Sequence, residues 1–343
     1  MRSHLVAKVL VERYPPCMMA LRHNSFIDDL TMHNNNIGIR EIATYIPAAR
    51  EANSAKKERF GINDDFLSTK IGVEFVSRRQ PDEETSDLCV SAFLALERKC
   101  QVTRKSVDCV VVVTQNPDGD GIPHTSAIIH GKLGLDDSCA AFDLSLGCSG
   151  YVYGLSVMQS FMRDHDLTCG LLFTADPYSK IVDPSDKNTA LLFGDAATVT
   201  LLTKQPILMP VSFFFGTRGA EWSSLKCVNR VLSMNGRAVF NFSAVEVPIQ
   251  IQKLLDKNGV GISEIDIFLL HQGSKYLVDT ITRRMGLADV MVPSNLKSQG
   301  NTVSSSVPML LEGRVHDPAV NRIVLSGFGV GLSWASAYIK RVS

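Results

Sequence analysis

Residues 142–150 read FDLSLGCSG, a segment in which a strand ends, a tight turn follows and a helix begins. Gly147 and Gly150 flank Cys148 in this turn, so a substrate has room to approach the sulfur. Backbone N–H groups at a helix N-terminus lack intrahelical partners, and together with the helix dipole they favour a thiolate. The segment predicts an α/β chain with a nucleophilic cysteine after a strand. From the local context alone, a small core residue at a helix start is the alternative.

Strands and helices alternate on both sides of this segment. The run VDCVVVV at 107–113 is typical of a strand buried on both faces, and a helical spacing precedes it at 85–99. A second Asp-containing strand, IDIFLL, follows much later at 265–270, and 189–202 reads as two tightly joined strands. We therefore expect a duplicated mixed α/β unit whose two sheets stack with helices between and outside them.

The composition indicates a globular protein of two fused halves. The chain has 343 residues, of which 45% are apolar, so it can bury a large core. Acidic and basic residues balance to a formal net charge of zero, which gives no overall attraction to nucleic acid or to an anionic membrane. No apolar run reaches the roughly 20 residues of a membrane span. We expect neither nucleic acid nor a membrane as a partner.

The cysteines and the N-terminal segment bear on compartment and domain limits. Eight cysteines are scattered without a CxxC pair or a Cys/His cluster at zinc spacing, which predicts free thiols in a reducing cytoplasm and no metal site. Residues 1–34 lack the long apolar centre of a signal peptide. We expect residues 1–34 to be an appendage outside the core fold, followed by halves at 35–205 and 206–343.

Three further motifs stand at the ends of predicted elements in the second half. His271 follows the strand at 265–270, at the edge where α/β sheets place their chemistry, although a structural histidine is the commoner case. Asn301 lies in the run QGNTVSSS at 299–306, where an ordinary turn residue is the alternative. The glycines of GFGVG at 327–331 allow a backbone that aims an amide at an oxyanion. Each motif alone is weak evidence for a catalytic site, but the occurrence of all of them in this order is strong evidence.

In this combination the sequence resembles the β-ketoacyl-acyl-carrier-protein synthase III branch of the thiolase superfamily, from about Ile37 to Arg341. The matching motifs are CSG at 148–150, DPSD at 183–186, FGDAA at 193–197, MNG at 234–236, HQ at 271–272, GNT at 300–302 and GFGVG at 327–331. The resemblance implies a duplicated thiolase-like fold, layered α-β-α-β-α with two mixed five-stranded sheets. It also implies a homodimer.

The resemblance implies an acyltransferase with a catalytic set of Cys148, His271 and Asn301. Acyl-CoA would acylate Cys148, and the other two residues would hold the carbonyl of a malonyl-acyl-carrier-protein thioester while carbon dioxide leaves. The resulting enolate would attack the acyl group, with the backbone amides of Cys148 and Val330 as the oxyanion hole. Neutral hydrogen-bond donors such as histidine and asparagine suit the malonyl carbonyl, and the reaction needs no metal or bound redox cofactor.

The resemblance also assigns substrate contacts, at several of which this sequence departs from the family pattern. CoA would contact the following residues: Phe66, Lys70, Lys187, Asn188 and Ser274. The acidic carrier protein would dock on three basic residues, for which a solvated helix face is the alternative: Lys275, Arg283 and Arg284. Ile122 stands where the partner subunit lends an aromatic gate to the acyl tunnel, and its smaller side chain would admit a chain longer or bulkier than acetyl.

Two other functions stay open at this point. One is acyl transfer to an alcohol or amine in glycan or natural-product biosynthesis, which the changed CoA contacts motivate. The other is a catalytically silent dimer partner, against which the presence of all three residues of the catalytic set argues. A degradative thiolase would need a second catalytic cysteine in the C-terminal turn, whereas the last cysteine of this chain is Cys227.

Overall fold

The computed structural model describes residues 36–287 and 292–342. The strands are β1 (Gly38–Tyr45), β2 (Ala49–Ala52), β3 (Phe75–Arg78), β4 (Cys109–Val113), β5 (Ala140–Leu144), β6 (Cys169–Ala175), β7 (Ala197–Thr203), β8 (Leu208–Thr217), β9 (Leu225–Val228), β10 (Val231–Met234), β11 (Ile267–Leu270), β12 (Arg322–Gly329) and β13 (Ser333–Arg341). The helices are α1 (Lys57–Phe60), α2 (Thr85–Lys99), α3 (Thr125–Leu133), α4 (Gly150–Asp164), α5 (Lys187–Ala190), α6 (Gly236–Asn258), α7 (Lys275–Arg284), α8 (Leu296–Gln299) and α9 (Ser306–Glu312). The predicted appendage at 1–34 lies outside the described residues.

The main sheet shows the predicted duplication. Its strand order is β11-β12-β13-β8-β1-β7-β6-β4-β5. In the first half β4 is parallel to β6, and the pairs β6–β7 and β7–β1 are antiparallel. The second half repeats this pattern, with β11 parallel to β12 and the pairs β12–β13 and β13–β8 antiparallel. Both sets are therefore mixed, as the sequence analysis predicts.

The number and separation of the sheets differ from the expectation of two five-stranded sheets. The first half contributes five strands, and the described part of the second half contributes four. The two sets join into one sheet through a single residue pair, Ile39 with Leu208. The physical reason is that β1 and β8 would otherwise be neighbouring edges, and strand edges carry unpaired backbone groups that favour pairing.

Alternating side chains on the strands produce the layers. On β4 the odd-numbered residues join a core with α4 and α9, while the even-numbered residues join a core under α2 and α3. On β11 the odd-numbered residues enter that same central core, and the even-numbered residues pack under α6 and α7. Helices therefore lie between and outside the strands, which confirms the layered α/β architecture.

The prediction of two strands within 189–202 is wrong in its first part, because α5 ends there and only β7 follows. Asp186 caps this helix by accepting the backbone N–H of Asn188 at 3.0 Å and the hydroxyl of Thr189 at 2.8 Å. Such side-chain capping offers the backbone a local alternative to a strand ladder. The apolar run that follows the cap therefore enters a helical turn and a loop before the strand begins.

Helix α6 is the longest helix in the described ranges, with 23 residues and Pro248 in its interior. Its inward-facing side chains join the core with α7. Neither α6 nor any other helix within 36–287 and 292–342 is long and apolar enough to cross a bilayer.

Candidate active site

The three predicted catalytic residues line one cavity of about 300 Å³. Each follows a regular element: Cys148 stands between β5 and α4, His271 directly after β11, and Asn301 two positions after α8. All three side chains are buried. The fold thus brings together three residues that lie far apart in the sequence, as the resemblance implies.

The sulfur of Cys148 is poorly solvated. Burial raises the pKa of the Cys148 thiol to about 12, and the nearby carboxylate of Asp176 adds to this rise. The backbone N–H groups of Val330 and of Cys148 itself hydrogen-bond to the sulfur and act in the opposite direction. The expected thiolate is therefore not favoured at Cys148, because α4 begins only at Gly150 and the loss of water outweighs the amide contacts.

The two amides that contact the sulfur are those predicted for the oxyanion hole. Glycine permits their close approach: a Cβ atom at Gly329 would lie 2.8 Å from the Cys148 sulfur, and one at Gly327 would overlap the carbonyl oxygen of Cys148. Gly329 also has a φ of 157°. The glycine-rich segment therefore lets the end of β12 pass directly over the cysteine, so that the following amide of Val330 can reach it.

The imidazole of His271 is held in its neutral form. Burial lowers its pKa to about 3. The hydroxyl oxygen of Ser306 lies 2.7 Å from Nδ1 of His271 and 3.0 Å from the carbonyl oxygen of Val303. The hydroxyl has one hydrogen: donated to the Val303 carbonyl it leaves Oγ to accept from Nδ1, whereas donated to Nδ1 it places the ring hydrogen on Nε2, the nitrogen left for the cavity. The sequence analysis did not identify Ser306, although the serine-rich run after Asn301 was a signal.

The amide of Asn301 has a defined orientation. Its Oδ1 accepts the backbone N–H of Val303 at 2.9 Å, which leaves Nδ2 as a donor. Its backbone is fixed on both sides, because its N–H donates to Leu192 O at 2.8 Å and its carbonyl accepts from Gly194 N at 3.0 Å. Val303 has a φ of 52°, a rare conformation for a β-branched residue, and this turn directs its N–H at the amide. The cavity can therefore present two neutral donors side by side, one from His271 and one from Asn301.

All five residues predicted to contact CoA line the same cavity: Phe66, Lys70, Lys187, Asn188 and Ser274. The sequence analysis missed two other lining residues, Arg237 and Tyr276, although Arg237 directly follows the MNG motif. The ammonium of Lys70 lies 3.8 Å from the centre of the Tyr276 ring. Three cations and no carboxylate are found among the described lining residues, so this opening suits a negatively charged ligand with an aromatic part.

The other predicted residues lie outside this cavity. Ile122 is 94% exposed. On α7, Lys275 forms an ion pair with Asp279 at 2.6 Å, Arg283 donates to the carbonyl oxygen of Asp279, and Arg284 donates to that of Ala244. Their roles in gating and docking stay predictions. In the described part of the chain, no group of three or more Cys, His, Asp or Glu side chains is placed to hold a metal ion.

Comparison with known proteins matches both halves of the chain. The family model described as 3-oxoacyl-[acyl-carrier-protein (ACP)] synthase III matches residues 142–219, and the model for the C-terminal part of the same family matches residues 255–341. The beta-ketoacyl-[acyl-carrier-protein] synthase III of Streptococcus mutans is 31% identical over 322 residues, which cover 88% of this chain and 98% of that protein. The corresponding protein of Lactococcus lactis is 30% identical over 323 residues, with the same coverage.

Solved structures agree with this match. A crystal structure of a 3-oxoacyl-(acyl-carrier-protein) synthase III superposes with a TM-score of 0.83 at 30% identity, covering 89% of this chain and 99% of the other. The beta-ketoacyl-[acyl carrier protein] synthase III of Thermus thermophilus superposes with a TM-score of 0.82 at 28% identity, with the same coverage of both chains. The similarity therefore extends over both halves and over the cavity between them.

Proposed function

Because this chain belongs to the 3-oxoacyl-[acyl-carrier-protein] synthase III family, we propose that Cys148, His271 and Asn301 carry out its condensation reaction. The protein is a condensing enzyme, an acyltransferase of fatty-acid biosynthesis. The observation that carries our assignment of residues is the convergence of a cysteine, a neutral histidine and an oriented asparagine on one cavity. Neither acyl transfer to an alcohol or amine nor a silent partner subunit is favoured by the comparisons.

In the first step Cys148 takes the acyl group from acyl-CoA. Its sulfur forms a bond to the acyl carbonyl carbon, the bond to the CoA sulfur breaks, and the thiol proton leaves with CoA. Negative charge develops on the carbonyl oxygen during the attack. The N–H groups of Cys148 and Val330, which contact the resting sulfur, are the donors we assign to that oxygen.

In the second step the malonyl thioester of the carrier protein loses carbon dioxide. The electrons of the broken C–C bond form an enolate, whose oxygen is held by hydrogen bonds from His271 and Asn301. The enolate carbon attacks the acyl carbonyl on Cys148, a new C–C bond forms, the bond from that carbonyl to the Cys148 sulfur breaks, and the released thiolate takes up a proton from water. A neutral imidazole suits this step because it donates a hydrogen bond without holding the leaving carboxylate as an ion pair.

In this proposal two positively charged surfaces bind the two substrates, one CoA and the other the carrier protein. The cations at the cavity opening, Lys70, Lys187 and Arg237, would bind the phosphates of CoA, with Tyr276 beside them. The exposed end of α7 would receive the acidic carrier protein through Arg283 and Arg284. No bound metal or redox cofactor enters the proposed reaction.

We also assign a homodimer and a cytoplasmic location as proposals. Two exposed apolar side chains lie on the hairpin beside the loop of Ile122, where Val228 is 50% and Val231 48% exposed. Arg230 ties that hairpin to the loop by an ion pair with Asp120 at 2.8 Å. The seven cysteines in the described ranges are all free, which supports a reducing compartment.

The experiment combines intact-mass measurement with a carbon dioxide assay. The purified protein is mixed with butyryl-CoA, and we expect one acyl adduct that Cys148→Ala abolishes and the matched variant Cys227→Ala retains. Malonyl carrier protein is then added, and release of carbon dioxide together with loss of the adduct marks condensation. An adduct that survives Cys148→Ala, or an adduct that passes only to an alcohol or amine, would contradict the proposal.

A further inference from the structure

A second cavity, of about 410 Å³, lies back to back with the first one. Tyr178 lines it, and the ring of Tyr178 packs on Phe193 of the first cavity with centroids 4.9 Å apart. Val330 lines it as well, directly after Gly329 of the first cavity. The two cavities therefore share a wall, and Cys148 stands at that wall.

The side chain of Gln115 lines the second cavity and lies against the residue before the cysteine. A Cβ atom placed on Gly147, the residue before Cys148, would lie 2.6 Å from Oε1 of Gln115. The backbone N–H of Gln115 donates to the buried carboxylate of Asp176 at 2.7 Å, which fixes the position of the residue. Its amide thus lies beside the backbone that leads into Cys148.

Gln115 and Tyr178 form a polar pair on this wall. The phenol of Tyr178 donates to Oε1 of Gln115 at 3.2 Å, while Nε2 of Gln115 donates to no described residue. Tyr178 is buried and belongs to an apolar cluster that also contains Cys148, Phe193 and Leu232. An alkyl chain that filled this space would cover the amide without pairing it, and an unpaired buried donor is unfavourable by about 1–3 kcal/mol.

We propose that the acyl donor carries a hydroxyl group close to its thioester, and that Gln115 and Tyr178 select it. The inference rests on the proposed acylation of Cys148 and names the substrate class for that step. A hydroxyl group both donates and accepts, so it satisfies the Gln115 amide in either orientation. The class that fits is a 3-hydroxyacyl thioester, because the amide lies beside the residue preceding Cys148. The acylation itself remains a thioester exchange in which the Cys148 proton leaves with the CoA thiol.

The test compares two donors of nearly equal shape. In 3-hydroxybutyryl-CoA and 3-methylbutyryl-CoA, a hydroxyl in one replaces a methyl in the other. We expect kcat/KM for acylation of Cys148, measured as CoA release, to favour the hydroxylated donor by at least about tenfold in the wild-type protein. Gln115→Leu, similar in volume, is expected to reverse this preference. Tyr178→Phe removes only the phenol and is expected to shift the ratio in the same direction by a smaller factor.

The outcomes separate this inference from the proposed function. A wild-type preference for 3-methylbutyryl-CoA, or a ratio unchanged in Gln115→Leu, overturns the inference while acylation by either donor leaves the function intact. Failure of both donors, and of butyryl-CoA, to acylate Cys148 overturns both. Thermal unfolding of each variant provides a fold control, and a loss of rate that is equal for the two donors contradicts the assignment of selectivity to Gln115.

Discussion

At Cys148 burial and hydrogen bonding act on one sulfur in opposite directions. Withdrawal from water and the Asp176 carboxylate disfavour the thiolate, whereas the amides of Val330 and Cys148 favour it. The first pair prevails, since the pKa rises to about 12. Those amides are then available to the developing charge of an acylation transition state, where they contribute more than they would to a resting anion.

The raised pKa predicts how Cys148 reacts with an alkylating reagent. Only the thiolate reacts with the reagent. At pH values below the pKa of about 12, the thiolate fraction rises tenfold for each pH unit. We expect the rate of iodoacetamide modification at Cys148 to climb with a slope near one from about pH 7 to pH 10, without a plateau. Peptide mass spectrometry measures this rate, and the exposed Cys227 in the same sample reports reagent activity. A plateau below about pH 9 would show that the thiolate is stabilised instead.

Ser306 allows a prediction that separates the two chemical steps. Ser306→Ala removes the hydroxyl 2.7 Å from Nδ1 of His271, so the ring loses the hydrogen-bond partner that orients it. A hydrogen bond of about 1–2 kcal/mol corresponds to about a five- to thirtyfold slower condensation. Acylation of Cys148 by acyl-CoA should stay within about twofold of wild type.

Ser306→Thr, which keeps the hydroxyl, is the matched control for this prediction. Carbon dioxide release from malonyl carrier protein and burst formation of the acyl adduct are measured in the same preparation. Equal slowing of both steps in Ser306→Ala would indicate a general structural role for Ser306 rather than one that acts through the imidazole.

At the scale of elements, the loop after α5 pairs with the segment of Asn301 through backbone hydrogen bonds. Asn301 pairs with Phe193 as an isolated bridge, and the backbone groups of Leu192 and Gly194 hold it on both sides. A Cβ atom at Gly194 would collide with the backbone carbonyl of Gln299. The position of Asn301 therefore depends on residue 194 being a glycine, because any side chain there would displace the segment that carries the asparagine.

Gly194→Ala should disrupt this pairing, because the backbone at Gln299 must move to accept the added methyl group. We expect a fall in the free energy of unfolding of about 2 kcal/mol or more and a loss of condensation of at least about tenfold. The matched control is Gly131→Ala in α3, where no described atom apart from the neighbouring residues and the backbone of the helix itself lies within 4 Å of the added carbon. That variant should be stabilised by up to about 1 kcal/mol. Thermal denaturation measures the change in stability of both variants. A Gly194→Ala variant as stable as the wild type would contradict the argument.

At the scale of the whole molecule, the most exposed large apolar side chain of the described residues lies where a second copy is proposed to bind. Ile122 is 94% exposed, far more than any other large apolar side chain in the described ranges. The formal net charge of zero provides no long-range repulsion between copies. Burial of this loop and the β9–β10 hairpin in a symmetric interface would remove the exposed surface from water.

Ile122→Asp is expected to weaken the dimer, since a carboxylate would have to lose its water at the interface. Light scattering after size-exclusion chromatography should give about twice the 37.6 kDa chain mass for the wild type and a mass nearer 37.6 kDa for the variant. Ile249→Asp on α6, at a site 46% exposed, serves as the control and should leave the mass unchanged. A dimeric Ile122→Asp, or a monomeric wild type, would contradict the proposed interface.

The sequence by itself determined the order of elements and the motif positions. Helix α2 has its predicted bounds, β4 and β11 lie within two residues of their predicted ranges, and β5 and α4 flank Cys148 as predicted, because side-chain periodicity is a local property. The resemblance placed Cys148, His271 and Asn301, whereas their convergence depends on the tertiary structure, because β5 and β11 lie at opposite ends of the main sheet and Asn301 follows a helix. The error at α5 arose from a side-chain cap at Asp186, which competes with a strand pattern at short range.

Only the tertiary structure decided the electrostatics and the shape of the site. The raised pKa of Cys148 and the lowered pKa of His271 come from burial, which depends on atoms contributed by elements distant in the chain. The contacts of Ser306 with the imidazole and of Gln115 with Tyr178 likewise join segments 35 and 63 positions apart. No local pattern encodes such distances, because water exclusion is a property of the packed interior and not of any one segment.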